Sequence, residues 1–275
     1  MKTYLIFIFL TFSLLTDIFS QVNKKNIVNY EAIADEAFNS LNYQEAILNY
    51  TKAIKLNQIK YSLYFNRALA EAKNKEYFKS IEDYNFVLKN SKDESLKKKS
   101  AFNLGLDFSE LNDYTAAIES FYNSISIGKS YYELREIDFR SYIEIADCKY
   151  KIRDYEGSIQ DATKAIGIYQ TKIDGYEKRA RCFSKLGKKD NAFADFESIK
   201  KIEPENVWNL IEIGDYYFND KLLKFVGCKY YVEARLQHIE FKKKNPKTRD
   251  FYWVENLEDL RIKCGQNLSN YTKPF

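Results

Sequence analysis

A helical pattern that returns five times is the feature that most constrains how this chain can fold. Each copy spans thirteen residues, and a tyrosine stands second in four of the five. The copies are NYQEAILNYTKAI from Asn42, EYFKSIEDYNFVL from Glu76, DYTAAIESFYNSI from Asp113, DYEGSIQDATKAI from Asp154 and KKDNAFADFESIK from Lys188. A second helical pattern precedes each copy, so each unit is predicted to form helix A, a turn and helix B. Such units bury their apolar faces by stacking on one another.

The spacing of the copies fits a repeat of 34 residues. Tyr43, Tyr77, Tyr114 and Tyr155 are separated by 34, 37 and 41 residues, and Lys189 follows after another 34. Two columns of the aligned units contain only small residues. Position 8 holds Ala34, Ala68, Gly105, Ala146, Ala180 and Gly214, and position 20 holds Ala46, Ser80, Ala117, Ser158 and Ala192. Helices cross closely where small side chains meet, so these columns predict the contact between helices A and B.

Two further columns predict how neighbouring units pack. Position 7 is apolar except at Arg67 and Arg179, whose aliphatic stems are predicted to cover the same surface while each guanidinium reaches water. Position 24, which is bulky in four units of five, is predicted to pack helix B against the next unit. Its residues are Tyr50, Tyr84, Phe121, Ala162 and Phe196.

These columns resemble the pattern of the tetratricopeptide repeat family, W-x2-L-G-x2-Y, A-x3-F, A, P. The resemblance implies an all-α fold, an α-solenoid of antiparallel helix pairs wound into a right-handed superhelix. The extra residues before the third and fourth units are expected to lengthen helix ends or turns. The five units span residues 27–60, 61–94, 98–131, 139–172 and 173–206, and a degenerate sixth unit spans residues 207–240.

The N-terminus has the pattern of a secretory signal peptide over residues 1–20. Lys2 precedes an apolar run from Tyr4 to Leu15, and Ser20 provides a small residue for cleavage, which leaves a short leader at residues 21–26. An uncleaved membrane anchor is the alternative, but the run is shorter than the roughly 20 residues of a span, and the charged Asp17 prevents its extension. We therefore expect an exported protein, periplasmic or secreted, with no membrane span after cleavage.

The C-terminal residues 241–275 are predicted to form a basic loop and a capping helix. FKKKNPKTRD from Phe241 reads as a solvated loop, with a motif for an acidic partner as the alternative. Trp253, Leu257, Leu260 and Cys264 follow at helical spacing and form one apolar stripe. A solenoid needs such a stripe to cover its last repeat.

The four cysteines are predicted to be free and buried. Cys148 and Cys182 occupy equivalent positions of neighbouring units, where helix packing sets the Cα atoms roughly 8–10 Å apart, beyond the reach of a disulfide. Cys228 and Cys264 are assigned the same role. The single histidine, His238, lacks the neighbours of a zinc site and is expected on the surface of a helix.

Composition and motifs argue against two classes of function. The net charge of +4 is too small for a typical nucleic-acid reader. No phosphate-binding loop, dinucleotide fingerprint or HExxH motif occurs. Glu144 and Asp147 could pair as glycosidase carboxylates, but charged residues on the solvent side of a helix are the commoner explanation. We therefore expect no catalytic residue, no cofactor and no metal.

The family resemblance implies a protein-binding scaffold whose A helices line a concave groove. Relatives that clamp a chaperone carboxylate carry Lys, Asn, Asn, Lys and Arg in the groove, where this chain has Glu31, Asp35, Asn66, Lys99 and Asn103. Only Asn66 and Lys99 match, so that function is disfavoured. Two classes remain: a scaffold for protein assembly at the cell envelope, and a binding protein for a small ligand or glycan that stacks on groove aromatics.

A peptide groove is predicted in the second and third units. Positions 5 and 9 of helix A hold Phe65, Leu69, Phe102 and Leu106, an apolar strip on a face expected to be polar. Asn66 and Asn103 flank the strip and could bind a peptide backbone, with Lys99 beside them. The alternative is that neighbouring helices, or the segment before Asn26, cover these residues as ordinary core.

Overall fold

Twelve α-helices make up most of the chain that the structure describes. The computed structural model describes residues 29–128, 132–221, 224–245 and Cys264, and none of these residues lies in a strand. The helices are α1 Tyr30–Asn39, α2 Tyr43–Leu56, α3 Tyr61–Lys73, α4 Tyr77–Asn90, α5 Glu94–Glu110, α6 Tyr114–Ser126, α7 Tyr132–Lys151, α8 Tyr155–Ile168, α9 Asp174–Lys185, α10 Lys189–Ile202, α11 Val207–Asp215 and α12 Lys224–Lys244. The predicted all-α fold is confirmed.

Odd-numbered helices are helices A and even-numbered helices are helices B. α5 begins at Glu94 and α7 at Tyr132, ahead of the predicted unit starts at residues 98 and 139. The extra residues before the third and fourth units therefore lengthen the N-terminal ends of helices A. The predicted signal peptide, leader and Trp253–Leu257–Leu260 stripe lie outside the described residues.

The helices fall into two compact units, the first ending at Ser91 and the second starting at Lys92. In the first unit, α1 packs on α2, α2 on α3 and α3 on α4. In the second unit, each helix from α5 to α12 packs on the next one. This sequential packing is the pattern of a helical-repeat solenoid.

The columns of small residues lie where helices A and B cross, as predicted. Ala34 and Ala46 have no exposed surface and meet in the core of the first unit. In the third repeat, a Cβ atom on Gly105 would lie 2.6 Å from Cε1 of Phe121, so the aromatic ring occupies the space that the missing side chain leaves. A larger residue at position 8 would push the two helices apart.

The prediction for the arginines of position 7 was wrong about their guanidinium groups. Arg67 donates from Nε and Nη2 to the two carboxylate oxygens of Asp83, at 2.7 and 2.8 Å, and from Nη1 to Thr51 Oγ1 at 3.2 Å. Thr51 belongs to the preceding repeat, so Arg67 joins two repeats. The same Thr–Arg–Asp bridge recurs in the second unit at Thr163, Arg179 and Asp195. Bidentate pairing of this kind has fixed geometry.

Left-handed backbone conformations end helix A in each of the first five repeats. The residues with φ between 61° and 71° are Leu41, Lys75, Asn112, Arg153 and Gly187. The N–H of the next residue donates back to the end of helix A, as from Asn42 to the carbonyl of Ala37 at 2.8 Å. This Schellman-type cap supplies the sharp turn that brings helix B back against helix A.

A π-helical turn, Tyr216–Asp220, interrupts the sixth repeat directly after α11. Such a turn adds one residue to a helix. The ring of Tyr231 consequently lies against Gly214, as that of Phe121 lies against Gly105, although Tyr231 stands one place later in its repeat. Tyr231 also donates its hydroxyl to Asp215 Oδ1 at 2.8 Å. The inserted residue is why this repeat looked degenerate in sequence.

The prediction of four free thiols was wrong for two cysteines. Cys148 and Cys182 are free and buried, but Cys228 on α12 forms a disulfide with Cys264, with Cα atoms 6.0 Å apart. Helix packing sets the distance only between equivalent positions of neighbouring repeats. Cys264 lies after the repeats, so its distance from Cys228 is not fixed in this way.

Two smaller expectations about α12 need correction. The helix continues to Lys244, so the first four residues of the predicted basic loop are helical. His238 lies on this helix as expected, but it is only 8% exposed rather than on the surface.

Candidate functional site

Seven residues of helices A form the predicted peptide groove, and they belong to both compact units. Phe65, Asn66 and Leu69 lie half-buried on α3. The ring of Phe65 packs 5.8 Å from that of Tyr84, measured between centroids. The other four residues lie on α5 in the second unit. Peptide binding by these seven residues stays a prediction.

Phe102 is part of the core rather than of an open strip. It is 4% exposed, and its ring centroid lies 5.5 Å from that of Phe121. The Arg140 guanidinium lies over the Phe102 ring, 4.7 Å from the ring centroid. Leu106 is half-buried against the same cluster. The predicted apolar strip is therefore wrong at Phe102, because Phe121 and Arg140 cover its ring.

The polar residues of α5 are partly used within their own helix. Asn103 donates its side-chain amide to the carbonyl of Lys99 at 2.8 Å. The carbonyl oxygen of the Asn103 side chain is still available as an acceptor. Lys99 itself is exposed.

The two acidic groove residues of the first unit are held by their own chain. Lys60 donates to both carboxylate oxygens of Glu31, at 2.8 and 2.6 Å. Tyr50 donates its hydroxyl to Asp35 Oδ1 at 2.5 Å. Glu31 therefore ties α1 to the residue before α3, and Asp35 ties α1 to α2.

In the second unit, the exposed and half-buried side chains at positions 2, 5, 6 and 9 of α5, α7, α9 and α11 form a surface that we call the A-helix face. Lys178 donates to Asp147 Oδ1 at 2.7 Å, which ties α9 to α7. The Arg181 guanidinium lies 3.9 Å from the ring centroid of Tyr150 and 3.8 Å from Asp147 Oδ1. From the sequence, Asp147 was considered only as a possible catalytic carboxylate. Both cations were missed, although they occupy groove positions of the fifth repeat.

Three half-buried glutamates lie on the A-helix face, one on each of α7, α9 and α11. Glu144, Glu177 and Glu212 make no hydrogen bond or ion pair within the described residues. Burial raises the pKa of all three carboxyls. The pKa of Glu212 reaches about 7, with the nearby charge of Asp215 as the second cause. These carboxylates are thus partly dehydrated without a hydrogen bond from a cation to compensate the loss of water.

A cavity of about 240 Å³ lies on the A-helix face between α9 and α11. Its lining is Glu177, Lys178, Arg181 and Trp208. The indole of Trp208 is fixed edge-on to Phe196, with ring centroids 5.7 Å apart. The cavity therefore combines charges of both signs with one rigid aromatic wall, which is the lining of a site for a polar ligand with an apolar part.

A second cavity, of about 280 Å³, lies between the start of α11 and the end of α12, with Trp208, His238 and Phe241 among its lining residues. Throughout the described ranges, no group of three or more His, Cys, Asp or Glu side chains could hold a metal ion. None of the helices described above is long and apolar enough to cross a membrane.

Residues 173–206 match the family model described as "Tetratricopeptide repeat". Among curated proteins, mouse protein unc-45 homolog B is 31% identical over 97 residues, which cover 35% of this chain and 10% of that protein. The zebrafish protein of the same name is 41% identical over 59 residues, 22% of this chain and 6% of that protein. The matched residues thus span a tenth or less of these relatives.

Several solved structures share the fold. The C-terminal part of a TPR repeat-containing protein from Cytophaga hutchinsonii has a TM-score of 0.66 at 14% identity and covers 84% of this chain and 83% of its own. The structure of MamA has a TM-score of 0.55 at 20% identity, and the match covers 63% of this chain and 95% of the MamA chain. YrrB is named as a TPR protein with an unusual peptide-binding site. Its structure has a TM-score of 0.53 at 16% identity, and the match covers 70% of this chain and 97% of the YrrB chain. At these identities the likeness concerns the fold.

Proposed function

We propose that this chain, which has the fold of tetratricopeptide-repeat proteins and matches their family model over residues 173–206, is a non-catalytic exported scaffold that binds a protein or peptide on its A-helix face. Its place of action is the cell envelope, as a periplasmic or secreted assembly factor. The observation that carries the proposal is the cavity between α9 and α11, where Glu177 and Arg181 leave their charged groups without hydrogen bonds in the described chain. Polar groups of this kind are available to a partner.

The similarity to YrrB supports the choice of a peptide as ligand, because that protein shares the fold and is named for a peptide-binding site. A small ligand or glycan stacked on groove aromatics is less well supported. Phe102 is buried and Tyr150 is covered by Arg181, so two of the aromatic rings on this side are already in contact with arginines.

Export is supported by the signal-peptide pattern of residues 1–20 and by the Cys228–Cys264 disulfide. Disulfides persist in oxidising compartments such as the periplasm and the extracellular space. Intact mass spectrometry of the native protein tests this part. We expect an N-terminus at Gln21, and a retained Met1 would contradict export with cleavage.

Site-specific photo-crosslinking tests the binding surface. A photoreactive residue at Lys99 or Asp174, on helices A, is expected to capture a partner in the native envelope. The matched control places the same residue at Gln160, which is exposed on helix B α8. Capture from Gln160 but not from the A-helix face would overturn the proposed surface.

A further inference from the structure

Two of the charged groups that line the cavity between α9 and α11, Glu177 and Arg181, are not paired with each other. Glu177 and Arg181 stand four residues apart on α9, where opposite charges commonly pair along a helix. Here they do not form an ion pair, and within the described residues neither side chain makes a hydrogen bond. The fifth repeat thus presents a separate anion and a separate cation in one cavity.

Neighbouring residues hold the Arg181 guanidinium in place without using its hydrogen-bond donors. The guanidinium carbon lies over the ring of Tyr150, 3.9 Å from the ring centroid, and this cation–π contact holds the group in place. Asp147, the nearest carboxylate, already accepts a hydrogen bond from Lys178 at 2.7 Å and stays 3.8 Å from Arg181. The guanidinium edge therefore remains able to bind an incoming carboxylate in a bidentate manner.

Glu177 has the opposite requirement. It is half-buried, and burial together with the charges of Asp174 and Glu203 raises the pKa of its carboxyl. An incoming cation would relieve that cost. Trp208 lines the same cavity, and an indole is the aromatic group that attracts a guanidinium or ammonium most strongly. A basic side chain could thus stack on Trp208 and pair with Glu177.

We propose, as a deepening of the proposed function, that this cavity binds an extended peptide in which a basic and an acidic side chain stand two residues apart. The basic side chain pairs with Glu177 over Trp208, and the acidic one pairs with Arg181. In an extended peptide, side chains two residues apart lie on the same side and are separated by about 6.6–6.8 Å. Residues one helical turn apart, such as Glu177 and Arg181, have a similar separation of roughly 5–6 Å between Cβ atoms.

Peptides of defined charge pattern test the inference. The probes are acetylated, amidated peptides of one length with the patterns Arg-x-Glu and Glu-x-Arg, and with the two charges adjacent or three residues apart. Arg-x-Gln and Gln-x-Glu peptides remove one charge each. Fluorescence anisotropy with the mature chain is expected to favour a pattern with the charges two residues apart. Replacing either charged residue should weaken binding by roughly 10- to 100-fold, the range for a hydrogen bond to a charged group.

Two variants test separately which peptide charge Glu177 recognises and which one Arg181 recognises. Glu177→Gln should lose the preference for arginine over glutamine in the peptide and keep the preference for glutamate. Arg181→Gln should do the reverse. Glu156→Gln on α8 and Lys185→Gln on α9 make the same charge changes at exposed positions outside the cavity lining, and they should bind like the native protein.

Equal binding of all charge patterns, or preferences that survive in both cavity variants, would overturn the inference. Saturable binding of free arginine and free glutamate as tightly as of the peptides would also overturn it, in favour of a small-molecule site. Photo-crosslinking distinguishes a failure of this inference from a failure of the proposed function. If Lys99 or Asp174 still captures a native partner, the binding surface stands and only the charge pattern is wrong.

Discussion

Glu71 on α3 carries a carboxylate with too few partners for its burial. The residue is 4% exposed, and Oε2 accepts no hydrogen bond within the described chain. Its nearest cation is Arg67, with Nε 3.9 Å from Oε1, and that guanidinium is already bound by Asp83 and Thr51. Burial, then the charge of Asp83, raises the pKa of Glu71 from 4.5 to about 7.

This raised pKa predicts that Glu71 destabilises the protein above neutral pH. The folded chain holds the proton more tightly than the unfolded chain, so its stability falls as pH rises from about 4.5 to about 7. Glu71→Gln should remove this loss and raise the unfolding free energy at pH 8 by about 2–3 kcal/mol, with little change near pH 4.5. Urea unfolding at both pH values measures it. Glu82→Gln, at an exposed position of α4, is the control. Equal effects of Glu71→Gln at both pH values would contradict the assignment.

At the scale of the helices, the turns between A and B impose one backbone conformation on five different residues. Gly187 adopts it freely, because a glycine has no Cβ. Lys75 adopts the same conformation, with φ of 63°, at the cost of crowding its own Cβ. The turn geometry is therefore set by the packing of the helices and not by the residue at the turn.

Exchanging residues at this position should change stability in opposite directions. Lys75→Gly is expected to stabilise the protein by up to about 1 kcal/mol, and Gly187→Ala to destabilise it by about the same amount. An added Cβ on Gly187 would meet no atom within 4 Å, so backbone strain is the sole expected cost. Thermal unfolding measures both. A loss of stability in Lys75→Gly would show that chain entropy outweighs the strain.

The helices and their contacts were predictable because the same sequence pattern recurs in several repeats. Once the units are aligned by the repeat period, the small residues at positions 8 and 20 are evident. The Thr–Arg–Asp bridges also left a signal, since Arg67 and Arg179 each have an aspartate sixteen residues later. In the fourth repeat Asp161 has no such arginine and instead binds Lys149 at 2.7 Å.

The candidate site was less predictable, because it depends on which neighbour covers a given residue. The sequence places Phe102 at a groove position, and only the packing of α7 shows that Arg140 lies over it. The cavity at Trp208 involves side chains of the fifth and sixth repeats, and each looks like an ordinary charged or aromatic residue on its own helix. The Cys228–Cys264 bond was not predicted, because Cys264 lies after the repeats and the repeat period does not set its distance from Cys228.

At the scale of the whole molecule, the disulfide closes a loop of chain at the C-terminal end of the repeats. The two cysteines are separated by 36 residues, and closing a loop of this length lowers the entropy of the unfolded chain by an amount equivalent to about 3–4 kcal/mol. Reduction, or Cys264→Ser, should therefore lower the melting temperature. Alkylation of the denatured, unreduced protein should modify two thiols. Modification of four would contradict the disulfide, and Cys148→Ala, which leaves the bond intact, controls for loss of a thiol.

The Thr–Arg–Asp bridges also bear on how this array could have grown. The junction between the first and second repeats carries the same three groups as the junction between the fourth and fifth. A genetic crossover that joined the first repeat to the fifth would therefore supply Thr51 to Arg179, just as Thr163 does now. Whole repeats can be gained or lost at these junctions while each arginine keeps its threonine and its aspartate. The bridges thus mark two junctions at which a change in the length of the array would preserve the hydrogen bonds between neighbouring repeats.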